Sequence, residues 1–169
     1  MTAPETAAAE RTARATTDVP VTDTTVCRVE DLPWGEPYPG IELKVLRTGE
    51  GTGRYTLMNR FAPGTVLPTH VHHGEVHAFT LAGRWGYLEY DWESVAGDYV
   101  YEEAGSVHTL VVPADASEPA VIQFVIDQGM DFLDGDGNAF HSEDAASITQ
   151  MYLDALVAAG VEPPSGVLP

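Results

Sequence analysis

The chain has 169 residues, 44% of them apolar, which suffices for one compact domain with a buried core and is too short for two full ones. Eight Lys and Arg stand against 26 Asp and Glu, a formal net charge of −18, so basic surfaces for nucleic acid or anionic membrane are excluded. Cys27 is the single cysteine, which rules out an internal disulfide framework and any zinc cluster built on cysteine.

Residues 1–26 are rich in Ala, Thr, Glu and Pro, lack a periodic apolar face, and read as a flexible or loosely docked tail. Ala7-Ala8-Ala9 is too short for the apolar segment of a secretory signal, and no run has transmembrane length. A reducing, aqueous compartment is expected, hence a cytoplasmic protein. From Cys27 onward, short β-branched and aromatic runs alternate with Gly, Pro and Asp. Strands are predicted at Ile41 to Leu46, Tyr55 to Phe61, Glu75 to Leu81, Trp85 to Trp92, Tyr99 to Glu102, Thr109 to Val112 and Ala120 to Asp127. Turn signals such as Ala62-Pro63-Gly64 and Ala96-Gly97-Asp98 separate them, and no helix-length segment intervenes. This spacing predicts an all-β antiparallel sandwich or small barrel over residues 27–141. Over residues 142–169 the period changes: Ile148, Met151, Tyr152, Ala155, Leu156 and Ala159 form a helical stripe, with Ser142 or Asp144 placed to cap it. One C-terminal amphipathic α-helix lying on the barrel is expected.

Four of the six histidines fall within eight residues: His70, His72, His73 and His77. Strand residues two apart share a face, so His70 and His72 project together as two arms of a metal site. A third arm must come from another strand, and His108, after a second Gly-framed turn, is the candidate. The segments read Gly64-(five residues)-His70-x-His72-(four residues)-His77, closing at Gly83, and Gly97-(five residues)-Glu103-x-Gly105-(two residues)-His108. This layout resembles the two motifs of the cupin superfamily, and it implies a double-stranded β-helix, or jelly roll. Glu103 stands where such proteins usually have Pro, and Val112 where Asn is frequent. The glutamate ligand usual between the HxH pair and the closing Gly has no clear counterpart. Counting forward from His72 puts His77 in that slot, and counting back from Gly83 puts Val76 there. An inward Val76 gives a three-histidine site, and an inward His77 a four-histidine site.

A closer resemblance spans the barrel through Asp31-Leu32-Pro33-Trp34, Lys44 to Thr48, Arg60 to Thr65, Val76 to Leu81, Gly83-Arg84-Trp85, Tyr87 to Trp92 and Ala104 to Leu110. These segments look like the 2,4'-dihydroxyacetophenone dioxygenase group of cupins, and Leu133 to Asn138 and the final helix fit it too. That resemblance implies non-haem Fe(II) held by three histidines, at His70, His72 and His108, and it favours the three-histidine reading. It implies a dioxygenase that takes a small-molecule substrate and O2, cleaves a C–C bond beside a carbonyl in a hydroxyketone or diketone, and pairs as a homodimer.

Imidazoles alone suit Fe, Ni, Cu or Zn, and open positions on the metal would let an oxygenated substrate chelate. The remaining candidates are Glu89, as proton acceptor or anchor for a ligand histidine, and His77, as a hydrogen-bonding partner to the site. Arg60 and Arg84 are candidates for an anionic substrate group, and Trp85, Tyr87 and Tyr101 for its apolar body. His73 and His141 read as solvated loop residues. Asp134 to Asn138 begins like a calcium loop, but Ala139 and Ala145 replace its essential Gly and acid, so a hairpin turn is expected. Two other functions fit the same ligand set: a redox-neutral isomerase or cyclase using the metal as Lewis acid, and a ligand sensor without turnover, like the cupin domains of anti-sigma regulators.

Overall fold

The computed structural model describes residues 24–49 and 51–167. Of the expected tail only residues 24–26 are described, as exposed chain; residues 1–23 lie outside the described residues. The order is a 3-10 turn at Val29–Asp31, then β1 (Gly35–Tyr38), β2 (Ile41–Arg47), β3 (Arg54–Phe61), β4 (His70–His72), β5 (Val76–Ala82), β6 (Arg84–Tyr87) and β7 (Glu93–Val95). Next come β8 (Tyr99–Glu102), β9 (Val107–His108), β10 (Leu110–Val111), β11 (Ala120–Asp127), β12 (Met130–Leu133), β13 (Ala139–Glu143) and helix α1 (Ala145–Ala158).

Three antiparallel sheets enclose one core. Six strands run in the order β1-β2-β3-β11-β5-β8, three as β10-β6-β7, and four as β13-β12-β4-β9. Strict alternation explains the central strand β11, where Ala120, Ile122, Phe124 and Ile126 are buried and the residues between them are half-covered. These side chains meet Leu43, Val45, Leu57, Phe61, Val76, Trp85 and Phe132 in the core. The result is the all-β jelly roll with one C-terminal helix that the sequence predicts.

Helix α1 closes the barrel with Ile148, Tyr152 and Leu156 buried, as the stripe predicts. Asp144 caps it in a capping box: its side chain accepts from the Ser147 backbone, and the Ser147 hydroxyl accepts from the Asp144 backbone. The Tyr152 hydroxyl donates to Pro33 O at 2.7 Å, tying the helix to the chain entering β1. No helix among the described residues is long and apolar enough to cross a membrane.

Two expectations need correction. Trp85 to Trp92 is not one strand: β6 ends at Tyr87, Leu88 to Trp92 turn in the open, and the chain returns as β7. Gly86 permits that return, because a Cβ there would lie 2.8 Å from Trp92 O. The C-terminal boundary also moves, since β13 runs to Glu143 and belongs to the four-stranded sheet. Asp134 to Asn138 forms the hairpin turn expected of it: the Asp134 carboxylate accepts from the backbone of Asp136 at 3.0 Å and of Asn138 at 2.8 Å.

Candidate metal centre

Strand β4 is three residues long, and its pairing places the site. His70 lies opposite His108 on β9, while on its other side β12 aligns Phe132 with His70 and Met130 with His72. The alternation expected from the HxH spacing holds, with His70 and His72 buried and Val71 half-covered. Among the described residues His70, His72 and His108 form a group that could hold a metal ion, each buried, with one potential ligand atom apiece lying within 4.8 Å of the others.

The tautomer of His70 is set locally. Its Nδ1 lies 2.9 Å from Pro68 O, a carbonyl that can only accept, so the proton sits on Nδ1 and Nε2 keeps its lone pair. Burial lowers the His70 pKa to about 4, outweighing that hydrogen bond, and keeps the ring neutral at physiological pH.

A buried carboxylate completes the cluster. Glu102 Oε2 lies 3.1 Å from His72 Nε2 and 3.3 Å from His108 Nε2. Neither contact is aligned as a hydrogen bond, and Glu102 Oε2, His108 Nε2 and His72 Nδ1 have no hydrogen-bond partner. Burial alone would raise the Glu102 carboxyl, but His108 and His72 outweigh it and hold the group well below the usual carboxylate range. Glu102 Oε1 accepts from the Tyr87 hydroxyl. Burial, and then the Glu102 charge, push the Tyr87 hydroxyl up, so it stays a donor. The Tyr87 ring stacks on His108 with centroids 3.9 Å apart and planes 14° from parallel. Buried orphaned nitrogens and a carboxylate oxygen brought together are what a divalent cation would satisfy, so the donor set fits a bound metal.

His70 and His72 open onto a cavity of about 340 Å³. Its wall is mostly apolar, including Leu57, Phe61, Leu110, Phe124, Met130 and Phe132, with Tyr87 beside the histidine cluster. Such a space takes a small, largely apolar molecule.

Of the other sequence candidates, Tyr87 alone lines this cavity. Val76 faces the interior and is fully buried, so His77 lies on the opposite face of β5. There its Nδ1 meets the Tyr99 hydroxyl at 2.6 Å, and its ring stacks on Tyr99. Tyr101 shares that outer face and donates to Glu75 Oε1 at 2.9 Å. Trp85 is buried in the core, its Nε1 donating to Thr80 Oγ1 at 2.8 Å. Arg60 falls on the outward parity of β3, where it pairs with Glu42 and lies 4.6 Å from the centre of the Trp34 ring. Arg84 pairs at the surface with Glu93 and Asp115. Glu89 lies in the exposed turn after β6, where Oε2 accepts from Thr109 N at 2.9 Å; that bond holds the chain beside His108 from outside the cavity.

Sequence reasoning missed three residues. Glu102 was legible in the alternation of β8, which places a charge on the same face as Val100. Glu143, buried, and His141, which stays solvent-exposed as expected of it but on a strand and not in a loop, also line the cavity. Their place follows from the β12–β13 hairpin, whose strands were not predicted. His73, on the outside, pairs with Asp131 at 3.0 Å.

The sequence matches the ChrR cupin-like domain over residues 22–129. No curated protein matches the chain. Among solved structures, an RmlC-like cupin protein from Ralstonia eutropha JMP134 is 27% identical, with a TM-score of 0.75 over 85% of this chain and 93% of that one. A second protein from that organism, with a cupin-like fold, is 25% identical with a TM-score of 0.71, covering 84% of this chain and 93% of its own. An acetylacetone dioxygenase from Acinetobacter johnsonii is 17% identical, a likeness of fold alone, with a TM-score of 0.70 over 82% of this chain and 97% of that one.

Proposed function

The chain belongs to the ChrR cupin-like family, and for this member we propose a non-haem Fe(II)-dependent dioxygenase that cleaves a C–C bond beside a carbonyl in a small hydroxyketone or diketone. The observation that carries the reading is the three-histidine cluster opening onto an apolar cavity of about 340 Å³. The likeness of fold to an acetylacetone dioxygenase agrees with it.

His70, His72 and His108 would hold the metal, which when bound supplies a Lewis acid for chelating the substrate oxygens and a one-electron partner for O2. The protein's own part is positional and electrostatic. Pro68 O fixes the tautomer of His70. Glu102 places its charge beside His72 and His108, and the Tyr87 hydroxyl holds that carboxylate from the other side. With its hydroxyl engaged, Tyr87 offers the cavity only its ring. The apolar wall excludes bulk water, so a bound enolate keeps its charge close to the site instead of being solvated.

The partners are a small substrate, O2 and a second copy of this chain. Strand β8 is an edge of the six-stranded sheet, and its outer face with β5 exposes Phe79, Leu81, Tyr99 and Tyr101. An edge of this kind is self-complementary across a twofold axis.

Oxygen uptake by iron-loaded protein on a panel of hydroxyketones and diketones tests the reaction. Consumption in step with substrate loss is expected. Substrate conversion with no oxygen consumed would replace the dioxygenase with a Lewis-acid isomerase or cyclase.

A further inference from the structure

The inner face of the four-stranded sheet carries two rows of side chains running away from the metal centre. One row is His72, Met130 and Glu143; the other is His70, Phe132 and His141, aligned residue for residue across β4, β12 and β13. All six line the same cavity. Neighbouring strands lie about 4.8 Å apart, so Glu143 is about 10 Å of backbone from His72. Both ends of this floor are polar and its middle is apolar. Phe132 bridges the second row, its ring centroid 5.6 Å from that of His70 and 5.8 Å from that of His141.

Glu143 is nine-tenths buried, and its partner is the exposed side chain of His141, at 3.5 Å from Oε1. That is longer than a charge-assisted hydrogen bond, which runs about 2.7–2.9 Å. Burial raises the Glu143 carboxyl, and His141 opposes the rise. A carboxylate offers about four acceptor positions, and a buried one with a single long contact keeps most of them for whatever enters the cavity. The Glu143 backbone packs closely against the turn before β12. Gly129 opens the turn into β12 at φ 119°, and a Cβ there would lie 2.2 Å from Glu143 O.

We propose that Glu143, backed by His141, is a specificity determinant at the far end of the substrate cavity. It selects molecules that carry a hydrogen-bond donor, a hydroxyl or amino group, across an apolar body from the metal-chelating oxygens. The proposal rests on the metal-chelating reading of His70, His72 and His108.

The test is equilibrium binding to zinc-loaded protein, because zinc has no redox chemistry and leaves the probes intact. Three probes share one chelating head: benzoylacetone and its para-fluoro and para-hydroxy derivatives, titrated calorimetrically below the pH at which the phenol ionises. The para-hydroxy probe should bind about tenfold more tightly than the para-fluoro one, as one hydrogen bond to a charged group implies. Glu143→Gln should reduce that preference and Glu143→Leu should abolish it. Equal binding of the hydroxy and fluoro probes, or a preference untouched in Glu143→Leu, would overturn the proposal while leaving metal chelation intact. Probes that bind equally well to metal-free and zinc-loaded protein would overturn the chelating reading, and the proposal with it.

Discussion

Val76 and Glu102 are direct cross-strand partners on β5 and β8, and both are buried on the inner face of the sheet. A cupin usually draws its carboxylate from the position after the HxH pair, and here that inward position is Val76. The negative charge arrives instead from the neighbouring strand, at the residue paired with it. Glu102 thus reaches the interior by another backbone route, and touches two of the three clustered histidines at once.

Glu102→Gln preserves shape and removes the charge. Loss of an outer partner typically costs about 10–100-fold in metal affinity, and a loss in that range is expected here. Competition against a chelator of known affinity measures it. Unchanged affinity would show that Glu102 is bystander to the metal.

His77 gives a contrasting expectation, because it lies on the outer face of β5 against Tyr99. His77→Ala should retain near-stoichiometric metal, whereas His70→Ala, His72→Ala and His108→Ala should each lose most of it. Elemental analysis of the four purified variants decides between them. Metal loss in His77→Ala equal to that in His70→Ala would return His77 to the ligand set.

Much of this arrangement was readable in the chain. The HxH spacing, the Gly-framed turns and the helical stripe each encode one local period, and β4, β9 and α1 follow them. What escaped was long-range pairing. Whether Val76 or His77 faces inward depends on the register of β5 against β8 and β11, which no local spacing fixes. The fate of Arg60 and Arg84 depends on Glu42, Glu93 and Asp115, distant or mid-range acids that capture them at the surface. His141 and Glu143 became visible only when β13 was paired, because Gly135 and Gly137 read as turn and concealed the strands on either side.

Tyr152 makes the helix dock pH-sensitive on the alkaline side. Burial, and then Cys27, push its hydroxyl up to about 12 from an ordinary 10.0. Between those values the unfolded chain has lost the proton and the folded chain keeps it. The contribution to stability is therefore full below pH 10 and is lost as pH rises toward 12. Tyr152→Phe should cost about 1 kcal/mol at neutral pH, through the lost bond to Pro33 O, and should flatten the alkaline fall in denaturant midpoint. An unaltered alkaline slope would assign the effect to other tyrosines.

The outer face of β5 and β8 sets the expected assembly. Light scattering should give a dimer for the parent protein, and Phe79→Asp, which places a charge among Leu81, Tyr99 and Tyr101, should give a monomer with metal content unchanged. A parent protein that is monomeric at high concentration would contradict the pairing, and a dimeric Phe79→Asp would move the interface elsewhere.

The fate of isotopically labelled O2 tests the assignment of function most directly. Iron(II)-loaded protein turning over a diketone under labelled O2 should consume one O2 per substrate cleaved and place one labelled atom in each of the two products. His108→Ala, taken through the same loading, should do neither. Cleavage with label arriving only from labelled water, or no turnover of any hydroxyketone or diketone by protein fully loaded with iron, would contradict the dioxygenase.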